Sequence, residues 1–212
     1  MSGACRPAKN AAGYRFLEPD AAASSRLRSI HCHQNTHANQ KYTFDSDVPD
    51  FLIELAHKTI DNGADVFIGH GVHTLRGVEI YKGKPIFYGV SNFFNELGQS
   101  SVPQNPGGDL TQAEVANLPT AEGQHTLPEN LEALLTTSRY EGGRLVEVRL
   151  YPADLGRDGS RPLSRRGIPM TPSPEMAREI LEKVQRISAR FGTAIAIEEN
   201  VGVIRVAHRS QH

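Results

Sequence analysis

A continuous apolar run at residues 65–69, DVFIG, constrains the fold of this chain more than any other feature of the sequence. A short run that is apolar on both faces is typical of a parallel strand buried between two layers. The segment before it, residues 48–63, carries apolar residues at helical spacing and ends in a glycine, which predicts a helix. A helix followed by a buried strand is half of an α/β unit, so we predict a mixed α/β (α+β) fold.

The predicted helix over residues 48–63 has signals at both ends. Asp47 can cap its first turn, Pro49 suits that turn, and Gly63 follows its last turn. Apolar residues repeat as neighbouring pairs every four positions, which places them on one face. That face is expected to bury Phe51, Leu52, Leu55, Ala56, Thr59 and Ile60.

Residues 173–192 carry the clearest helical pattern in the chain. Ser173 can cap the first turn, and Pro174 suits the first helical position. The expected buried stripe consists of four apolar residues at helical spacing: Met176, Ile180, Val184 and Ile187.

The other segments carry simpler patterns of alternation, turn residues and polar bias. They predict, in chain order, a hairpin over 77–90 that turns at Lys82-Gly83-Lys84, a long irregular insertion over 98–128, a short helix over 129–140, a strand over 143–155, a basic loop over 156–174, and two short strands in TAIAIEE and GVIRVA.

The composition is that of a globular protein without a strong overall charge. Hydrophobic residues make up 38% and charged residues 22% of the 212 residues, and the net charge of -1 gives no bulk attraction to nucleic acid or membrane. Cys5 and Cys32 form no disulfide or metal pattern, which favours a reducing compartment. No apolar run has the length of a membrane span, and the first 28 residues lack the apolar core of a secretory signal. We therefore expect the chain as given to be cytoplasmic, with residues 1–28 disordered.

The histidines that could carry chemistry fall into two clusters. SIHCHQNTH holds His31, His33 and His37, and GHGVH holds His70 and His73. Both clusters stand where a predicted strand finishes, and open α/β sheets bind ligands beyond the carboxyl ends of their strands. Imidazole suits divalent metals such as Zn, Mn and Fe, so a metal site is one interpretation. The other is that these are polar loop residues that close the strand ends.

One long stretch resembles a known family. LAHKTIDNGADVFIGHGVHTLRGVEIYKGKPIFYGVSNF closely resembles the bacterial capsule-synthesis family typified by CapA, the poly-γ-glutamate synthesis proteins. The shared pattern is a helix end with Ile-Asp-x-Gly-Ala-Asp, an apolar strand, a Gly-His-x-x-His turn, a Glu-Ile-Tyr hairpin and an Asn-Phe. The segment SIHCH resembles the family's upstream strand, and the resemblance extends over residues 29–206.

The resemblance implies a fold and a site. The family is similar to the calcineurin-like metallophosphoesterases, which implies a four-layer β-sandwich flanked by helices and a dinuclear site for Mn, Zn or Fe. The matching positions imply His31, His70 and His73 as metal ligands, and His33 as a catalytic residue near substrate or metal. Asn92 and Arg76 match positions that imply substrate contacts. A simpler interpretation makes Arg76 and Glu79 a structural pair of charges.

The sequence also departs from the family. The Asp-bearing and Asn-bearing motifs that supply the carboxylate and amide ligands do not precede residue 29, and Ser91 replaces a glycine. We therefore expect residues 29–206 to be the C-terminal portion of such a domain, with its N-terminal half missing and residues 207–212 as a tail. Three or four histidines hold one ion at most, so the metal itself is in question for this chain. Open sheet edges would favour self-association.

Three functional hypotheses follow from the resemblance. The first is a metal-dependent hydrolase of the calcineurin-like type, linked to poly-γ-glutamate or capsule synthesis and acting on a small-molecule or polyanionic polymer substrate. The second is a non-catalytic component of assembly or export, which in some family members is membrane-associated or extracellular. The third is that the chain is an inactive fragment on its own.

Overall fold

The computed structural model of the chain describes residues 8–9, 15–16, 27–33, 46–93, 130–157, 161, 165 and 167–207. The expectations of disorder over 1–28, of an insertion over 98–128 and of a tail over 207–212 fall almost wholly outside these residues. The described elements, in chain order, are β1 Ala8–Lys9, β2 Arg15–Phe16, β3 Ser29–His33, α1 Asp50–Asp61, β4 Val66–His70, β5 Val78–Tyr81, β6 Lys84–Phe87, β7 Glu132–Glu141, β8 Arg144–Asp154, α2 Pro174–Ser188, a 3-10 turn Ala189–Phe191, β9 Ala196–Glu198 and β10 Val201–Arg205.

Two four-stranded sheets organise the described residues. The mixed sheet has the order β3-β4-β6-β5, in which β3, β4 and β6 are parallel and β5 is antiparallel to β6. The antiparallel sheet has the order β7-β8-β10-β9. A short antiparallel pair of β1 and β2 lies apart from both. The α+β fold class is confirmed.

The strand predicted at 65–69 is the parallel strand β4, buried on both faces. Its side chains alternate between two apolar clusters. Phe67 belongs to the cluster that includes Leu52 and Ala56 of α1. Val66 belongs to the cluster that includes Ile180 of α2 and residues of the antiparallel sheet. The mixed sheet is therefore covered by α1 on one face and by α2 with the antiparallel sheet on the other.

Helix α1 forms where predicted, with two corrections. Pro49 is the N-cap residue, and its carbonyl accepts from the N–H of Leu52 at 2.9 Å, so the predicted cap by Asp47 is wrong. Phe51 is 48% exposed instead of buried, because it lies at the edge of the face that Leu52 and Ala56 bury. The rest of the predicted face is confirmed: Leu52, Leu55, Ala56, Thr59 and Ile60 are buried.

Helix α2 is confirmed together with its start signal. The Ser173 hydroxyl accepts from the N–H of Met176, and Pro174 occupies the first helical position. Of the predicted stripe, Ile180 and Val184 are buried, while Met176 and Ile187 are only partly buried. The centre of the buried face also includes Ala177, Leu181 and Ser188.

The predicted helix over 129–140 is wrong, because this segment forms strand β7. It pairs with β8 along its whole length, from Glu132 opposite Asp154 to Glu141 opposite Arg144. The exposure of successive side chains from Leu135 onward alternates as in a strand with one solvent face. The hairpin partner decides the state of this segment, and local apolar spacing does not contain that information.

The remaining predicted strands are confirmed. The hairpin over 77–90 is the β5–β6 pair, and its two turn residues Lys82 and Gly83 both have positive φ, as a two-residue hairpin turn requires. The strand over 143–155 is β8, and the two short C-terminal strands are β9 and β10. No helix in the described ranges is long and apolar enough to cross a membrane.

Candidate functional site

His31 and His70 meet at the carboxyl ends of two neighbouring parallel strands. In the register of β3 with β4, His31 lies opposite Ile68, and His33 lies opposite His70. The side chains of His31 and His70 therefore project from the same face of the mixed sheet. His31 Nδ1 lies 2.9 Å from His70 Nε2, and the two rings are nearly parallel, with centroids 5.1 Å apart. At this distance one nitrogen donates a proton to the other, so the pair holds a shared hydrogen bond.

The second histidine of the turn is held differently. His73 Nδ1 lies 2.6 Å from Asn92 Oδ1, and Asn92 Nδ2 donates to the carbonyl of Asn130 at 3.3 Å. The hydroxyl of Ser91 donates to the carbonyl of His73 at 3.3 Å. His73 and Ser91 have φ values of 57° and 65°, in the left-handed region that few non-glycine residues adopt. The turn after β4 thus binds the segment after β6 through both main chain and side chains.

The distance between the facing nitrogens of His31 and His70 is close to that between two ligands of one metal ion, and the two nitrogens point at each other as in a hydrogen bond. Zinc–nitrogen distances of about 2.0–2.1 Å place two adjacent ligand nitrogens about 2.9–3.4 Å apart. The 2.9 Å between His31 Nδ1 and His70 Nε2 lies at the lower end of that range. Within the described residues, however, no group of three or more His, Cys, Asp or Glu side chains is arranged to hold a metal ion. The described part of the chain therefore supplies two ligands, which is fewer than a protein metal site needs.

Three other predicted site residues have mixed surroundings. The backbone of His33 lies at the end of β3 beside His70, and its side chain is outside the described structure. Arg76 is buried, with 4% of its surface exposed, and its N–H donates to the carbonyl of Gly89. Asn92 is half-buried and bonded to His73. Roles for these residues in catalysis or substrate binding stay predictions, as does metal binding by His73.

Comparison with known proteins covers this same region. A family profile described as "Bacterial capsule synthesis protein PGA_cap" matches residues 33–97, which include the turn with His70 and His73 and the partner Asn92. The PGA biosynthesis protein CapA of Bacillus subtilis is 40% identical over 63 residues, covering 30% of this chain and 16% of that protein.

Residues 33–97 match the CapA-like family of bacterial capsule synthesis proteins.

Other relatives of this CapA-like chain match more of its length. The uncharacterized protein y4sH of Sinorhizobium fredii is 41% identical over 192 residues, covering 82% of this chain and 41% of that protein. A probable polyglutamine synthesis accessory protein of Mycobacterium tuberculosis is 28% identical over 144 residues, covering 68% of this chain and 30% of that protein. The chain thus spans about two fifths of the length of the first of these relatives.

The CapA-like chain also contains a buried polar cluster that the sequence did not predict. His57 of α1 donates from Nε2 to both carboxylate oxygens of Glu79, at 2.9 and 3.0 Å. The hydroxyl of Tyr88 donates to the same carboxylate at 2.6 Å, and Tyr81 stacks on the His57 ring with centroids 3.8 Å apart. Burial raises the pKa of Tyr88 well above its ordinary value, and the hydrogen bond and charge of Glu79 raise it further. Tyr88 therefore stays a neutral donor.

The sequence contains only a weak indication of this polar cluster. Glu79 is an ionisable residue inside an otherwise apolar strand, VEIY, which indicates a buried partner. His57 is half-buried against Glu79. Nothing in the sequence connects the two, because they lie on different elements that meet only through packing of α1 on the mixed sheet.

The basic loop after β8 folds back on acidic residues. Asp154 accepts from the N–H groups of Gly156 and Arg157, at 2.8 and 2.9 Å, and forms an ion pair with Arg161. The buried carboxylate of Glu132 pairs with Lys183, and Arg157 lies 3.4 Å from it. These cations therefore neutralise buried carboxylates of the antiparallel sheet, which is a structural role.

Proposed function

We propose that this CapA-like chain carries part of a divalent-metal site in a protein of poly-γ-glutamate or capsule synthesis. In this proposal the complete protein is a metal-dependent hydrolase of the phosphoesterase type. The observation that carries it is the approach of His31 Nδ1 to His70 Nε2, at 2.9 Å, where two parallel strands end. The names of the relatives in Bacillus subtilis and Mycobacterium tuberculosis support the biosynthetic context.

His31 and His70 would hold the ion, which would be Mn, Zn or Fe. A bound divalent ion supplies an activated water and stabilises charge on phosphoryl oxygens. Since the facing nitrogens of His31 and His70 share one proton, binding of an ion at both nitrogens would require that proton to move to the far nitrogen of the donating ring. Metal uptake by this pair would therefore replace the hydrogen bond between the rings and change the tautomer of the donating histidine.

His33 is our candidate for the acid that protonates a leaving group. Its position beside His70 in the parallel register supports this assignment, because it puts the residue at the same strand end as the proposed ligands. Histidine is the side chain that most often exchanges protons near neutral pH. The substrate is either a small molecule or a polyanionic polymer, as the family context favours.

Calorimetric titration of the chain with Zn²⁺ tests the proposal. We expect one ion to bind, and the His31→Ala/His70→Ala variant to bind at least about tenfold more weakly. His125→Ala/His208→Ala is the matched control, since it also removes two imidazoles, neither of which is a proposed ligand. Equal affinity of the wild type and the His31/His70 variant would refute the proposal.

A second candidate function is a non-catalytic component of capsule assembly or export. This candidate is favoured by the small number of potential metal ligands, since the described residues contain no group of three metal-binding side chains. In that case the His31–His70 contact is a structural hydrogen bond between strand ends. The calorimetric titration separates the two candidate functions. If the His31–His70 pair is only structural, the wild type and the His125→Ala/His208→Ala control bind Zn²⁺ no more tightly than the His31→Ala/His70→Ala variant does.

A further inference from the structure

We infer that Asn92 is a positioning residue that fixes the tautomer and ring orientation of His73. The inference rests on the proposed function only in assuming that His73 belongs to the same site. Its basis is that both polar atoms of the Asn92 side chain already bond within the protein. Oδ1 lies 2.6 Å from His73 Nδ1, and Nδ2 donates to the Asn130 carbonyl at 3.3 Å.

The hydrogen bond from Asn92 to Asn130 determines which atom of Asn92 faces His73. A carbonyl can only accept, so the amide end that faces Asn130 must be the NH₂ group of Asn92. The oxygen of Asn92 therefore faces His73. Because an amide oxygen can only accept, His73 Nδ1 must carry a proton and donate it. In neutral His73 the unprotonated nitrogen is then Nε2.

The backbone holds the two side chains in this arrangement. Leu75 and Val90 form an isolated antiparallel bridge just beyond the contact, and the N–H of Arg76 donates to the Gly89 carbonyl at 3.0 Å. His73 itself has a φ of 57°, and its carbonyl accepts from the hydroxyl of Ser91. Strained backbone of this kind persists where surrounding structure holds it, and it concentrates at functional sites.

The arrangement has a defined chemical use. A histidine that binds a metal through one ring nitrogen generally donates the other N–H to an acceptor, which fixes the ring and raises the basicity of the ligand. Asn92 supplies that acceptor for His73. A positioning role uses both bonds that the Asn92 side chain makes within the protein.

The test is the tautomer of His73, measured by ¹⁵N NMR of the full chain in EDTA at about pH 8, where an ordinary imidazole is neutral. We expect the Nδ1–H form in the wild type and in Asn92→Asp, whose carboxylate still accepts. Asn92→Leu should shift the population to the Nε2–H form. Ser91→Ala, which alters the same turn but keeps the acceptor, should not. An Nε2–H form in the wild type, or an unchanged tautomer in Asn92→Leu, would overturn the inference.

Two additions keep the result decisive. If Asn92→Leu loses its dispersed spectrum, the wild type and Asn92→Asp decide, because an Nε2–H tautomer in either contradicts the inference. Adding Zn²⁺ to a second sample without EDTA then tests the proposed function separately. One outcome is that His73 is in the Nδ1–H form while the resonances of His31 and His70 do not respond to Zn²⁺. This outcome would support the positioning role and contradict the metal site.

Discussion

Glu79 of β5 receives hydrogen bonds from two different elements, since His57 Nε2 of α1 lies 2.9 Å from one of its oxygens and Tyr88 donates to the other. The carboxylate is buried, with 8% of the residue exposed. It therefore joins the helix to the sheet by a polar contact inside the apolar cluster of Leu52, Phe67 and Ile86. A buried carboxylate is tolerated only with such partners, so the cluster should be sensitive to loss of any member.

Replacing Glu79 by alanine should destabilise the chain by about 1–3 kcal/mol per donor left without an acceptor. Tyr88 would lose its acceptor in a buried site, and the half-buried His57 would lose its acceptor as well. Urea unfolding followed by circular dichroism measures the change. Glu54→Ala is the matched control, because Glu54 pairs with Lys58 on the exposed face of α1, the helix that carries His57. This substitution should have no measurable effect on the free energy of unfolding. Equal unfolding midpoints for both variants would contradict the structural role of Glu79.

The stability contributed by Tyr88 should disappear at high pH. Burial, with the hydrogen bond and charge of Glu79, raises the pKa of Tyr88 in the folded chain above the value of about 10 in the unfolded chain. The stabilisation is therefore fully present below pH 10 and is lost as the pH rises above it. The difference in unfolding free energy between the wild type and Tyr88→Phe should fall by about 1.4 kcal/mol per pH unit above 10. A constant difference from pH 8 to pH 11 would contradict this.

The exposed edge of the antiparallel sheet should promote self-association. β7 is an edge strand of ten residues, and Leu135 on it is 51% exposed. Long edge strands with apolar side chains pair with other chains, and lysine on the edge opposes this. We expect light scattering to show association that grows with concentration and decreases in Leu135→Lys. Phe93→Lys is the same kind of change outside the sheets, and it should leave the association unchanged. Equal association of the wild type and Leu135→Lys would contradict this prediction.

The chain alone should not hydrolyse a phosphodiester. Two-metal hydrolysis needs ligands for both ions, and the described residues bring together only His31 and His70. With bis(p-nitrophenyl) phosphate and Mn²⁺ or Zn²⁺, the wild type should turn over no faster than His70→Ala/His73→Ala. Metal-dependent turnover that the double substitution abolishes would show that the chain holds a competent site.

How far the sequence predicts this structure depends on whether a feature is local. The apolar run at 65–69 and the Ser173 cap are local signals, and both correctly placed their elements. The His31–His70 contact spans 39 residues, yet it was predicted because parallel strands end at the same edge of a sheet. Strand β7 was missed because pairing with β8 decides it.

The exposed Phe51 and the His57–Glu79 pair show the same limit at the level of side chains. Phe51 has the hydrophobicity of a core residue, but it lies at the edge of the buried face of α1 and is exposed. The His57–Glu79 contact depends on how α1 packs over β5, which no residue near either one specifies. The roles of His33 and Arg76 remain predictions, since they depend on a substrate and not on the fold.

The most direct measurement of the central claim is anomalous diffraction from crystals of the full chain grown with Zn²⁺, at wavelengths on both sides of the zinc absorption edge. We expect one anomalous peak at the ends of β3 and β4, about 2.0–2.1 Å from both His31 Nδ1 and His70 Nε2. Absence of zinc there, with the two nitrogens still 2.9 Å apart and hydrogen-bonded, would contradict the proposal that the pair binds a metal.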